Sequence, residues 1–128
     1  MDFAKPKKIF IVDDDNMLTE ALQDYLTRKI AHQVFAFQTG EECLKHLAEA
    51  PDVIILDYYL NTVEKDAANG MEILQAIRKH YPKIHVIMLS SQERYGIAMQ
   101  AIQKGAEDYV IKDEDAFEKI AGLIEDIK

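Results

Sequence analysis

A single cysteine, Cys43, stands among 128 residues. An internal disulfide and a cysteine-based zinc cluster are thereby excluded, and the chain suits a reducing cytoplasm. Cys43 shares one helical face with Leu44 and Leu47, which reads as a buried structural thiol and not a nucleophile. Histidine is sparse too, and His32, His46, His80 and His85 show no metal-ligand spacing. Positive charge is short: 15 Lys and Arg face 23 Asp and Glu, a net charge of −8. A general nucleic-acid surface needs a basic patch to meet phosphates, so none is expected. No apolar run approaches a membrane span, and the run after the opening MDFAKPKK is too short for a signal-peptide core. No glycine-rich loop follows that run, which disfavours a nucleotide or flavin site. Repeats, low-complexity tracts and linkers are missing, and the length fits one domain spanning 1–128.

What is present is alternation. Ile9–Val12, Val34–Phe37, Val53–Leu56, Ile84–Leu89 and Tyr109–Ile111 are short apolar runs that read as strands, Val53–Leu56 as one buried on both faces and Val34–Phe37 as a weaker one. Between them lie helical patterns. Leu18, Ala21, Leu22, Tyr25 and Leu26 recur at helical spacing to about Arg28, after a cap at Asp15 or Asn16. Thr39 with Glu42 forms a capping-box pattern before Cys43, Leu44, Leu47 and Ala48, and Pro51 closes that helix. Gly70 opens a helix through Met71, Leu74 and Ile77 that Pro82 ends. Ala98, Ala101 and Ile102 mark a fourth helix stopped at Gly105, and Phe117, Ile120, Ala121 and Ile124 a fifth. Five such strand–helix steps predict βαβ units, a mainly parallel sheet and helices on both faces, with Val34–Phe37 at an edge. The connection 58–69 is long for its place, as loops with a functional role often are.

Four strands end in polar groups. The first runs into Asp13, Asp14 and Asp15, the third into Asp57, the fourth into Ser90 and the fifth into Lys112. Open α/β sheets place ligands outside those ends. Clustered carboxylates would repel, and a divalent cation with hard-oxygen preference, such as magnesium, removes the conflict. A carboxylate nucleophile beside a metal, an ammonium and a hydroxyl suits phosphoryl transfer, with Asp57 attacking phosphorus. Taken singly, each has a bland reading: Asp15 or Ser90 as a helix cap, Lys112 as a solvated cation. Four such positions in order weaken those readings together.

The set IFIVDDD, LDYYL with Asp57, Gly70, MLSS with Ser90, and GAEDYVIK with Tyr109 and Lys112 resembles the receiver domain of bacterial two-component response regulators along the whole chain. The resemblance implies a flavodoxin-like (βα)5 three-layer sandwich with strand order 2-1-3-4-5. It implies that Asp57 accepts a phosphoryl group from a histidine kinase or phosphotransfer protein. Mg2+ would be held by Asp14, Asp57 and the backbone carbonyl of Tyr59, with Asp13 acting through water. Ser90 would contact the phosphoryl group, Lys112 would pair with it, and Tyr109 would turn inward as Ser90 moves. The face of the fourth helix, fifth strand and fifth helix, including Tyr95, Met99 and Gln103, would meet an effector protein or an output domain, or a second copy of the chain. The role implied is a cytoplasmic signalling switch and not an enzyme.

Three departures stand out. Asn61 replaces the family's usual proline after the acceptor, 58–69 is longer by about five residues with Glu64, Lys65 and Asp66 in it, and Asp113 replaces the proline after Lys112. A cis bond there is disfavoured, since cis non-proline costs roughly 2.5–4 kcal/mol. Tyr59 and Gln92 occupy the positions that tune dephosphorylation in the family. A constitutive interaction module with no phosphorylation is opposed by the intact acid pair, acceptor, hydroxyl and lysine. An aspartate-dependent phosphohydrolase would carry a second Asp two residues after the first, where Tyr59 stands. An EF-hand fails for want of alternating ligands and a central glycine.

Overall fold

In the computed structural model, residues 5–60, 65–91 and 95–127 are described, Tyr95 by its backbone only. Asn61, Glu64, Gln92 and the Tyr95 side chain, singled out above, lie outside the described residues. The elements are β1 (Lys8–Val12), α1 (Asn16–Leu26), β2 (Gln33–Phe37), α2 (Gly40–Leu44), β3 (Val53–Asp57), α3 (Gly70–His80), β4 (His85–Ser90), α4 (Tyr95–Gln103), β5 (Asp108–Ile111) and α5 (Ala116–Asp126). All strand pairs are parallel and the order is β2-β1-β3-β4-β5. This is the expected flavodoxin-like sheet.

Alternation of side chains along each strand divides the core in two. Phe10, Val12, Ile54, Leu56, Val86 and Met88 pack with Cys43, Leu74, Ile77 and Ala101 of α2, α3 and α4. Ile9, Ile11, Val53, Ile55, Ile87, Leu89 and Val110 pack with Leu22, Leu26, Ile120 and Ile124 of α1 and α5. β2 is an edge strand, with Phe35 exposed at its surface while its ring meets that of Phe10 edge-on.

Several local expectations need correction. The second helix stops at Leu44 and gives way to a 3-10 turn, Leu47–Glu49, before Ala50 adopts a left-handed φ of 58°. Pro51 cannot extend a helix, and the chain must reverse within a few residues to enter β3. Thr39 forms one half of its box, accepting from the Glu42 N–H. The complete box is at α3, where the Asn69 side chain accepts from the Glu72 N–H and the Glu72 carboxylate accepts from the Asn69 N–H. Ile102, which marks the fourth helix by its spacing, is 45% exposed, and Ala21 is exposed while Thr19 is buried. α1 ends at Leu26, short of Arg28, and Asp15 is its cap, accepting from the Met17 and Leu18 N–H groups.

Asn69→Ala removes the cap that α3 uses and is expected to cost about 1 kcal/mol in urea unfolding. Asp115→Ala, at a helix start where the side chain makes no cap hydrogen bond, is expected to stay within about 0.5 kcal/mol of the parent.

Candidate phosphoryl-transfer site

Parallel register sets the site. Val12 pairs with Leu56, so Asp13 and Asp57 follow side by side on adjacent strands. Ser90 ends β4 opposite Ile111, and Lys112 is the next residue after β5. By the same alternation that divides the core, Asp13, Asp57 and Lys112 continue the α1/α5 face. Ser90 and Tyr109 continue the α2/α3/α4 face, where Tyr109 packs against the core.

The contacts follow that division. Lys112 Nζ lies 2.9 Å from Asp13 Oδ2 and 3.3 Å from Asp57 Oδ2. Asp13 and Asp57 are almost fully buried, at 1% and 3% exposure. The Asp15 N–H donates to Asp13 Oδ1 at 2.9 Å, and the Tyr59 N–H donates to Asp57 Oδ1 at 3.3 Å. The Lys112 N–H donates to the Ser90 carbonyl at 2.9 Å, which ties the end of β5 to the end of β4. On the other face the Tyr109 phenol is hydrogen-bonded to the Ser90 side chain.

Burial, and then the nearby Asp13, push the Asp57 carboxyl up to about 7, against the opposing pull of Lys112 and the Tyr59 N–H. Burial alone would lower the Lys112 ammonium, but Asp13 and Asp57 outweigh it and hold the group above its ordinary value. Burial raises the Tyr109 phenol. Burial also pushes the Cys43 thiol up to about 12, which keeps it an inert core group, as its helical position suggested.

Asp13, Asp14 and Asp57 each bring a carboxylate oxygen within 4.8 Å of the others. Asp13 Oδ2 is buried and, although near the ammonium, has no donor aligned on it as a hydrogen bond. An all-oxygen set with unspent acceptor capacity suits a hard divalent cation.

Gly70 was legible as a helix opener but does more. Its N–H donates to the Tyr58 carbonyl at 2.8 Å. A Cβ there would stand 2.2 Å from the Asp57 carbonyl oxygen and 2.7 Å from Tyr58 Cα. Only glycine lets α3 start this close to the strand end that carries Asp57. Glu41 was missed: its Oε2 accepts from the Ala68 N–H at 2.9 Å and fastens the end of the long connection to α2. The Lys112–Asp113 peptide is trans. Asp113 Oδ1 accepts from the Asp115 N–H at 2.9 Å, and its Oδ2 lies 3.6 Å from Lys119 Nζ, so this aspartate shapes the turn into α5.

The sequence model of the response regulator receiver domain matches residues 9–124. The chain belongs to that family. Receiver domains act in two-component signalling, and that is the function of this one. It is 32% identical over 118 residues to the DNA-binding transcriptional regulator NtrC of Proteus hauseri, covering 91% of this chain and 24% of that protein. It is 34% identical over 110 residues to the probable C4-dicarboxylate response regulator DctR of Bacillus subtilis, covering 84% of this chain and 46% of that one. This receiver therefore spans less than half the length of either relative. Among solved structures, the BeF3-activated DrrB receiver domain superposes with a TM-score of 0.81 at 28% identity, covering 94% of this chain and 95% of that one.

Asp57→Asn deletes a carboxylate that is costly to bury ionised. Because the folded pKa lies above the unfolded value of 3.8, the parent loses stability as pH rises from about 4 to about 7. In metal-free buffer at pH 8 the variant is expected to be the more stable by a few kcal/mol. That advantage should vanish near pH 4, which urea midpoints at the two pH values would check.

Proposed function

We propose that Asp57 is the phospho-acceptor of this receiver and that the chain is a switch set by its phosphorylation. The observation that carries this reading is the buried Asp57 carboxylate held at a strand end between Asp13 and Lys112. An Asp57 oxygen forms the new P–O bond while the N–P bond to a donor phosphohistidine breaks and its electron pair returns to the imidazole. Asp57 must be ionised to attack, so the factors that raise its pKa are checks on the reaction. Lys112 opposes them and is placed to pair with the phosphoryl oxygens once they arrive. The Ser90 hydroxyl, now shared with Tyr109, is a donor for the same oxygens.

Asp14 and Asp57 with the Tyr59 carbonyl would hold Mg2+, and Asp13 would reach it through water. Bound there, the cation neutralises carboxylate and phosphoryl charge. When Ser90 turns to the phosphoryl group, its bond to the Tyr109 phenol is given up. Tyr109 then repacks, and the face of α4, β5 and α5 changes. A local charge event thus biases a two-state element.

The donor we infer is a histidine kinase or phosphotransfer protein, and the reader an effector protein or an output domain of a longer polypeptide. Self-association through the α4–β5–α5 face is a further arrangement that the exposed Met99 and Ile102 would support. We read residues 1–128 as one receiver domain that assists only its own phosphoryl transfer and dephosphorylation, without turnover of another substrate. No described helix is long and apolar enough to cross a membrane. A cytoplasmic site of action and no direct DNA contact by this chain fit its composition.

Incubation with acetyl phosphate and Mg2+ is expected to add one phosphoryl mass to the intact protein. The gain should disappear with excess EDTA and in Asp57→Asn. Lys112→Ala should slow labelling by about tenfold or more, since about 1.4 kcal/mol of lost charge compensation suffices for that factor. Undiminished labelling of Asp57→Asn would place the acceptor elsewhere.

A further inference from the structure

Arg78 lies near the C-terminal end of α3. In the structure it is half-buried and bonded to three carbonyls. Its Nε donates to the Gly105 carbonyl at 2.8 Å, and its Nη1 donates to the carbonyls of Ile84 at 2.5 Å and Pro82 at 3.3 Å. Ile84 immediately precedes β4, and Gly105 lies in the turn that leads from α4 into β5. One guanidinium therefore joins the entrances of the two strands whose far ends lead to Ser90 and Lys112.

The fit is close. Gly105 has φ 105°, and a Cβ on it would stand 2.6 Å from Arg78 Nε and 2.8 Å from its Cδ. Two further contacts pin the same place. The Glu107 N–H donates to the Val86 carbonyl at 2.7 Å, and the Glu107 carboxylate lies 2.5 Å from His85 Nδ1. The Ala106 N–H donates to the Ala101 carbonyl at 2.9 Å, which fastens the end of α4 to this turn.

By contrast α4 is thinly packed. Among its described side chains only Ala101, toward the C-terminal end, is fully buried, while Met99 and Ile102 are exposed. Gly96 has nothing within 4 Å of where a Cβ would be. One end of α4 is held by a hydrogen-bonded clamp, and the rest of it has little holding it to the sheet.

We infer that Arg78 is a positioning residue of the switch, the fixed point about which α4 responds. With β4 and β5 pinned at their entrances, the two strands keep their register when Ser90 rearranges at the exit of β4. The rearrangement is then expressed in α4. This inference rests on the receiver reading above. It goes further in assigning a residue at the opposite pole from the phosphorylation site, in contact with none of its groups.

The test is amide hydrogen exchange read by mass spectrometry on the full chain, for the parent, Arg78→Met and Arg78→Lys. Each is measured alone and with Mg2+ and beryllofluoride, alongside circular dichroism and acetyl phosphate labelling. In the parent, beryllofluoride is expected to alter exchange in α4 and leave residues 104–107 unchanged. Arg78→Met should label normally and keep its secondary structure. It should lose protection at 104–107 by tenfold or more before any ligand is added, and the beryllofluoride response should spread into that segment. Arg78→Lys should lie between. Protection at 104–107 within twofold of the parent would overturn the inference, as would a loss spread evenly over the chain, which a merely structural role gives. If the parent itself neither gains mass nor responds to beryllofluoride, the receiver reading fails and the inference with it. A normal parent with an unmoved Arg78→Met defeats the inference alone.

Discussion

The structure turns on the burial of two neighbouring carboxylates against one ammonium. Asp13 and Asp57 are removed from water almost entirely, and their desolvation would be prohibitive without compensation. Lys112 supplies part of it, within 3.3 Å of both. That requirement reaches backward through the fold. β5 must lie beside β4, its end must be tied to Ser90, and the turn at Asp113 must release the chain into α5 without drawing the lysine away. The compensation is also incomplete: Asp57 stays raised to about 7 and Asp13 keeps a buried oxygen with no aligned donor. Such a pocket favours further positive charge.

The sheet separates chemistry from response. Acids and ammonium continue one face, hydroxyl and phenol the other, and Ser90 is the meeting point because its carbonyl is bonded to Lys112 and its side chain to Tyr109. In the switch we propose, a change in charge at Asp57 reaches the α4 side through this one residue. Tyr58 and Tyr59, whose rings meet edge-on with centroids 4.8 Å apart, lie close enough to Tyr109 to bear on its ionisation.

Short unbroken apolar runs mark all five strands, the fully buried β3 most plainly, so the strands and the polar groups at their ends were legible from sequence. Periodicity misled where helix type changed. Leu47 keeps the helical spacing of Cys43 and is buried, yet it sits in a 3-10 turn because Pro51 forces an early exit. Ile102 matched the apolar stripe of α4 and points outward, since a helix packed through Ala101 offers only a narrow inner face. The pairing of Lys112 with Asp13 was not foreseen, because an expectation centred on the phosphoryl group assigned the lysine to the acceptor. Arg78 and Glu41 were invisible for a simpler reason. Their partners are backbone groups, Gly105 and Ala68 among them far along the chain, and backbone groups carry no sequence signal.

The two hydrophobic clusters share a wall and no buried side chain. Their histories can accordingly diverge. A substitution under α1 or α5 is repaired by neighbours on its own side, and one under α3 or α4 likewise. A lineage could reshape the surface over one half while the other half stays as it was. The sheet would act as a firebreak, and insertions such as the long connection between β3 and α3 could be absorbed without retuning the packing beneath α1 and α5.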